Sequence, residues 1–299
     1  MKKVIVPPQR VQPHERVAPV PYMVWAVLFT VVPLLFIAYY ALTDNQFHFT
    51  FDNITRFFTA TSTMEAADGT QKVIHTYLLI FWRSFKLALI STAVCLLMGY
   101  PIAYIIARAS PKAQSTMITL IMIPMWMNFL IRTYAWMTIL QDTGILNGIL
   151  SALHLGTVKI IGTEGAVVVG MVYDFLPYMI LPIYSVMAKM DTRLLEAARD
   201  LGCNSLGVLR RVIFPLSLPG VFSGITMVLV PSISTFYISQ KLGNGKIMLI
   251  GDTIERQMQT LNNYNLGAAL SLVLMVLILV SMFIMNRFAD NSGEGGLVA

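Results

Sequence analysis

The chain has 299 residues, of which 56% are hydrophobic and only 12% charged, with a net charge of +6. A soluble globular domain carries roughly 25% charged residues, so this density cannot clothe a water-exposed surface of this size, and lipid as the solvent resolves the conflict. Nucleic-acid binding is excluded too, because the basic residues do not cluster with interleaved aromatics and mostly flank apolar runs, where such charge sets membrane orientation.

In chain order, residues 1–21 read as a cytoplasmic N-terminal segment, irregular and proline-rich over 7–21. A transmembrane domain is expected over 22–286 and a cytoplasmic tail over 287–299. The first span is expected at 22–42, inside an uncharged run from 17 to 43 that is too long and too aromatic for a signal peptide. The second is 87–107, between Lys86 and Arg108; the third, 115–140, contains Arg132; the fourth, 165–188, contains Asp174. The fifth covers 212–239 and the sixth 266–285. The fold class expected is therefore all-α, a polytopic membrane protein with about six transmembrane helices. The intervening loops 44–86, 141–164 and 240–265 fall on one side, and 59–63 with Asp68 and Gly69 read as solvated loop. Basic residues favour the opposite loops, which hold Arg108, Lys112, Lys189, Arg193, Arg199, Arg210 and Arg211, so both termini are expected in the cytoplasm. Cys95 lies in an apolar run and Cys203 in a charged loop, which argues against a disulfide, and neither the cysteines nor the four scattered histidines have metal-ligand spacing.

The loop 189–215 carries the most information. Leu194, Ala197, Ala198 and Leu201 share one face at helical spacing, surrounded by Arg193, Glu196, Arg199 and Asp200. Asp191 is placed to cap this helix, Gly202 to end it and Ser205 to cap a second one. Such a loop can dock a partner through small residues, or rest on lipid headgroups. The stretch closely resembles the EAA loop of ABC importer permeases: Glu196, Ala197 and Ala198, then Gly202 four positions on, then Val212, Phe214 and Pro215 in a hydrophobic–x–hydrophobic–Pro ending. The resemblance implies the type I importer permease fold. It also implies that Leu194, Glu196, Ala197, Ala198, Asp200 and Gly202 couple this chain to a separate ATPase. No P-loop is present to bind ATP here; the nearest lookalike, Gly243-Asn244-Gly245-Lys246, is followed by Ile247 and lacks the hydroxyl. No cofactor is expected on this chain, and ATP and Mg are expected on the partner ATPase.

The resemblance extends from about 87 to 285. It is strongest to permeases of the spermidine/putrescine type, the PotB-like member of the pair, through Met125-Trp126-Met127-Asn128-Phe129, Leu176-Pro177-Tyr178 and Leu249-Ile250-Gly251. This implies a PotC-like second permease, two copies of a PotA-like ATP-binding subunit and a PotD-like polyamine-binding protein. Polyamines need carboxylates, carbonyls and aromatic faces along their path. Trp126, Trp136, Tyr173, Asp174, Tyr178, Phe236 and Tyr237 supply such groups in or near spans, although Trp and Tyr also serve as interface anchors.

Arg132 and Asp174 each lie ten residues from the same end of antiparallel spans, which puts both about 15 Å deep. They can form an ion pair, or Asp174 can meet a cationic substrate. Asn128, Arg132 and Trp136 form one stripe at i, i+4, i+8, expected to face the substrate path or a partner. Pro231, flanked by Ser232, Ser234 and Thr235, marks a kink or a gate in the fifth span. Other solutes of the same importer class remain alternatives. An ion-coupled secondary transporter would show similar halves, and a membrane enzyme would show a nucleophile or metal constellation; neither pattern is present.

Overall fold

A computed structural model describes residues 20–44, 46–65 and 71–294. The N-terminal residues 1–19, the expected turn at Asp68 and Gly69, and residues 295–299 lie outside them. The first span is α1 (Val20–Ala41), wound through a π turn at Val27–Val31 immediately before Val32 and Pro33. A proline ring clashes with the carbonyl four residues back, and the wider turn relieves that clash. Where the sequence predicts an open loop, the structure has α2 (Asp52–Thr59) and an antiparallel hairpin of β1 (Thr61–Glu65) on β2 (Gln71–His75). The amides of Asn53 and Asn265 both donate to the Thr43 carbonyl, at 2.8 and 2.6 Å, and so bind the end of α1 to the later elements.

The second span, α3 (Thr76–Arg108), begins at Thr76 rather than at residue 87. Arg83 and Lys86 are tolerated inside it because both reach Glu164, at 3.7 and 2.7 Å. The third expected span is broken. It consists of α4 (Pro111–Trp126) and α5 (Phe129–Leu140), followed by α6 (Ile145–Ala152) in the expected loop, and the arms on either side of Met127 and Asn128 meet at 91°. Pro124 weakens the end of α4, and the Asn128 side chain accepts the Leu130 amide at 2.8 Å, capping a new helix. Next come α7 (Glu164–Ala188), α8 (Thr192–Asp200) and α9 (Ser205–Ser234), the last with a π turn at Leu209–Ile213 just before Phe214 and Pro215. The expected fifth span stops at Ser234, and α10 (Tyr237–Leu242) takes a new direction. After α11 (Ile250–Glu255), α12 (Tyr264–Glu294) continues through the first part of the expected tail. Among the described residues five helices are long and apolar enough to cross a bilayer, or six if the bent pair is one span. The chain is thus essentially all-α, with one small hairpin.

The core sits where α7 packs between α3 and α9, and it includes Leu87, Cys95, Met171, Met179, Ile183, Val221 and Val228. Cys95 and Cys203 are both free thiols. Gly220 and Gly224 place the backbone of α9 against α7: a Cβ at Gly220 would lie 2.9 Å from the Pro182 carbonyl, and one at Gly224 would lie 2.8 Å from the Met179 sulfur. Small residues four apart give lipid-embedded helices their closest approach. Gly220→Leu should destabilise the solubilised protein by about 1–3 kcal/mol. Gly148→Ala, where a Cβ meets nothing within 4 Å, should leave its thermal midpoint unchanged or raise it.

Candidate functional site

The loop between α7 and α9 folds much as its sequence predicts. Asp191 accepts the Arg193 amide at 2.9 Å and caps α8. Gly202 ends that helix with φ at +84°, a left-handed conformation that glycine adopts freely. A Cβ there would meet nothing within 4 Å, so the backbone angle alone demands glycine. The second helix is capped by Asn204, not Ser205: Asn204 accepts the Gly207 amide at 2.8 Å, because the first helical residue is already Ser205. This second helix is also no separate element, since it runs through the π turn into α9.

The single apolar face expected for α8 divides in two. Leu195 and Ala198 turn inward, onto the core cluster that also holds Met187, Val208 and Ile213. Leu194, Ala197 and Leu201 turn outward with Glu196 and Asp200, and Leu201 is 86% exposed. Leu206, on the next turn, is exposed as well. The loop therefore presents leucines to its surroundings amid charge, and Ala198 holds the loop to its own chain.

The second constellation lies between α5 and α7. Arg132 Nε stands 3.4 Å from Asp174 Oδ1, with both side chains more than nine-tenths buried. Neither atom completes a hydrogen bond, so the contact is an ion pair without full donor–acceptor alignment. Trp136 packs edge-on against Tyr173 at 5.2 Å, one turn further along the same contact. The Arg132–Trp136 stripe thus faces α7 of its own chain, while Asn128 serves as a cap.

The other candidate residues make no ion pair or ring contact with Arg132, Asp174, Trp136 or Tyr173 among the described residues. Trp126, Tyr178 and Phe236 are exposed, Trp126 by 74%. Tyr237 packs on Phe129 and Tyr134, at 5.9 and 6.1 Å, and the Lys241 ammonium lies over the rings of Tyr134 and Tyr237 at 5.1 and 5.4 Å. Sequence reading passed over Tyr134 and Lys241, which are far apart in the chain and meet only because α10 folds back on α5. Beside Pro231, Ser234 donates to the Val230 carbonyl at 3.2 Å, whereas the buried Ser232 hydroxyl finds no partner.

A bent third span, a core in which α7 packs between α3 and α9, and a capped helical loop between the fourth and fifth spans describe a polytopic helical membrane protein. Residues 99–291 match the model of the family described as binding-protein-dependent transport system inner membrane component, and the chain belongs to that family. It is 37% identical to the spermidine/putrescine transport system permease protein PotB of Haemophilus influenzae, over 88% of this chain and 90% of that one. It is 36% identical to the PotB protein of Escherichia coli, over 84% and 89%. The fold is shared with a chain of a bacterial ABC transporter involved in the import of the acidic polysaccharide alginate, at a TM-score of 0.75, 15% identity, and coverage of 92% and 94%. It is also shared with a chain of the MetNI methionine ABC transporter, at a TM-score of 0.58, 17% identity, and coverage of 72% and 95%.

The buried pair makes a direct prediction. Arg132→Met or Asp174→Asn alone strands one charge or its neighbours in low dielectric and should cost about 3–5 kcal/mol, and the double variant should lose less than the two singles combined. Denaturant unfolding of the solubilised protein measures this coupling, and additive losses would deny it.

Proposed function

We propose that this chain is one of two permease subunits of an ATP-driven importer for polyamines. The solute is delivered by a PotD-like extracytoplasmic binding protein, and the second permease is PotC-like. ATP and Mg are bound by two PotA-like subunits, and this chain hydrolyses nothing itself. The observation that carries the reading is the α8–α9 loop, where Leu194, Leu201 and Leu206 stand exposed among charged residues at the end of a helix continuous with a membrane span. Exposed apolar side chains in a short charged loop are unfavourable in water and suit a docking surface. The resemblance of the chain to spermidine/putrescine permeases supports the substrate class. Both termini lie in the cytoplasm in this reading, together with the docking loop.

Trp126, Tyr178, Phe236 and Tyr237 would line the path or the joint with the second permease, where aromatic faces tolerate ammonium groups without holding them tightly. Asp174 and Arg132 would serve this path by holding α5 against α7, since the pair is buried, and Pro231 would mark where the span flexes.

Leu201→Asp and Ala197→Trp should leave insertion and pairing of the permeases intact but abolish retention of the ATPase, or reduce ATP-dependent uptake at least about tenfold. Uptake of labelled spermidine and putrescine by the reconstituted complex is the measurement. Full ATPase retention with unimpaired uptake in both variants would remove the loop from coupling, and uptake of neither amine by the native complex would point to another solute of the same importer class. A cysteine at Thr61 should react with a membrane-impermeant label from outside, and one at Ser292 should not; the reverse result would invert the topology.

A further inference from the structure

Lys241 makes no ion pair within 4 Å among the described residues. Its ammonium lies instead over two aromatic rings, 5.1 Å from the centre of Tyr134 and 5.4 Å from that of Tyr237. At such distances the electron-rich ring face attracts a cation. The two rings meet edge to face, 6.1 Å apart at 73°, and form a corner that Phe129 backs at 5.9 Å from Tyr237. The Tyr134 phenol also interacts with the ammonium and with the Tyr237 hydroxyl. Tyr237 and Lys241 stand four apart on α10, so they leave the same face of that helix. The neighbouring Ile238 and Leu242 are fully buried and seat α10 on Gly170 of α7. Tyr134 is 44% exposed, and Tyr237 and Lys241 are half-buried, so the corner opens outward and not into the core.

The chemistry of the resident cation says what else fits. A lysine side chain is a flexible four-carbon stem ending in a primary ammonium. Putrescine is the same stem with an ammonium at each end. The corner thus already holds, in tethered form, the group that a polyamine would bring. Ring faces hold a partly hydrated ammonium loosely, whereas a buried carboxylate would grip it. The rings are fixed by the packing of α10 on α7, while the lysine stem can rotate away with no movement of the backbone.

We propose that Tyr134 and Tyr237 form a site for a primary alkylammonium group and that Lys241 occupies it as a tethered competitor, which an arriving amine displaces. The proposal rests on the polyamine reading above, and its test separates the two. Calorimetric titration of the purified complex with putrescine, and with uncharged 1,4-butanediol as control, reads binding; uptake of labelled putrescine in vesicles reads transport. A site filled part of the time by its own chain binds a free ligand more weakly, by the fraction of time it stands open. Lys241→Met keeps the length of the stem and removes the charge, so it should tighten putrescine binding at least about threefold. Lys246→Met removes a nearby charge that touches neither ring and should not tighten it. In the Lys241→Met background, Tyr134→Leu or Tyr237→Leu should abolish the gain, and Tyr134→Phe should keep it, because the ring face carries the contact. Butanediol should show no such response. Putrescine affinity that is unchanged or weaker in Lys241→Met, an equal gain in Lys246→Met, or a gain that survives both leucine variants overturns the site. If the leucine variants do not assemble, the contrast between Lys241→Met and Lys246→Met decides. Unaltered affinity together with amine uptake removes the site and leaves the transport reading standing. Binding that responds to Lys241→Met, without amine uptake by the native complex, upholds the site and removes that reading.

Discussion

Close approach of α7 to its two neighbours is the constraint on which the rest of the structure depends. Helices in lipid gain little from hiding apolar surface, because the acyl chains are as apolar as leucine. Association must come from contact, and contact is limited by the bulk of what lies between the backbones. Gly220 and Gly224 remove that bulk where α9 meets Pro182, Ile183 and Met179 of α7, and Gly99 does the same where α3 meets Met179. Once α7 is wedged in place, the side chains it carries have fixed positions. Asp174 is one of these, so the least exposed acidic side chain among the described residues has its place set by this packing.

That position determines the partner of Asp174. A carboxylate more than nine-tenths buried needs a neighbouring cation or must stay neutral. Arg132 supplies the cation only because the third span breaks at Met127 and Asn128, which turns α5 so that its Arg132–Trp136 face lies on α7. A straight helix from Pro111 to Leu140 would follow a different course. The break thus has an identifiable local cause, in Pro124 and the Asn128 cap, and a tertiary consequence, the ion pair.

Much of this was legible in the sequence because lipid imposes a simple rule: apolar length becomes span. The positions of α1, α7 and α12 followed from run length, and the equal depth of Arg132 and Asp174 from counting residues to the ends of antiparallel helices. The Asp191 cap and the left-handed Gly202 followed from local chemistry. What escaped depends on geometry that periodicity does not encode. The 91° break looked like one apolar run, because Met127 and Asn128 are not strong breakers by composition. The true start of α3 was hidden by Arg83 and Lys86, whose pairing with Glu164 is a long-range contact. The inward turn of Ala198 could not be separated from the outward turn of Ala197, since neighbouring alanines differ only by about 100° around a helix. The loop expected at 240–265 gave no sign of α11, which folds back until the Ile250 amide donates to Ser84 at 2.8 Å.

The inward turn of Ala198 bears on how a force at the loop would reach the membrane core. Leu195 and Ala198 belong to the same packed cluster as Val208, Ile213, Met187 and, deeper, Met179 and Phe175. Only the turn at residues 201–204 intervenes, for the second half of the loop is already the first turn of α9, and the π turn before Pro215 keeps the helix unbroken. Packed interiors resist gradual deformation, so a displacement of α8 would move α9 as a body instead of being absorbed locally. The contact between α9 and α7 is made through glycines and backbone, which leaves little side-chain slack in which motion could dissipate. The α8 surface therefore divides between two faces: Leu194, Ala197 and Leu201 outward, where the proposed partner would dock, and Leu195 and Ala198 inward, packed on the core.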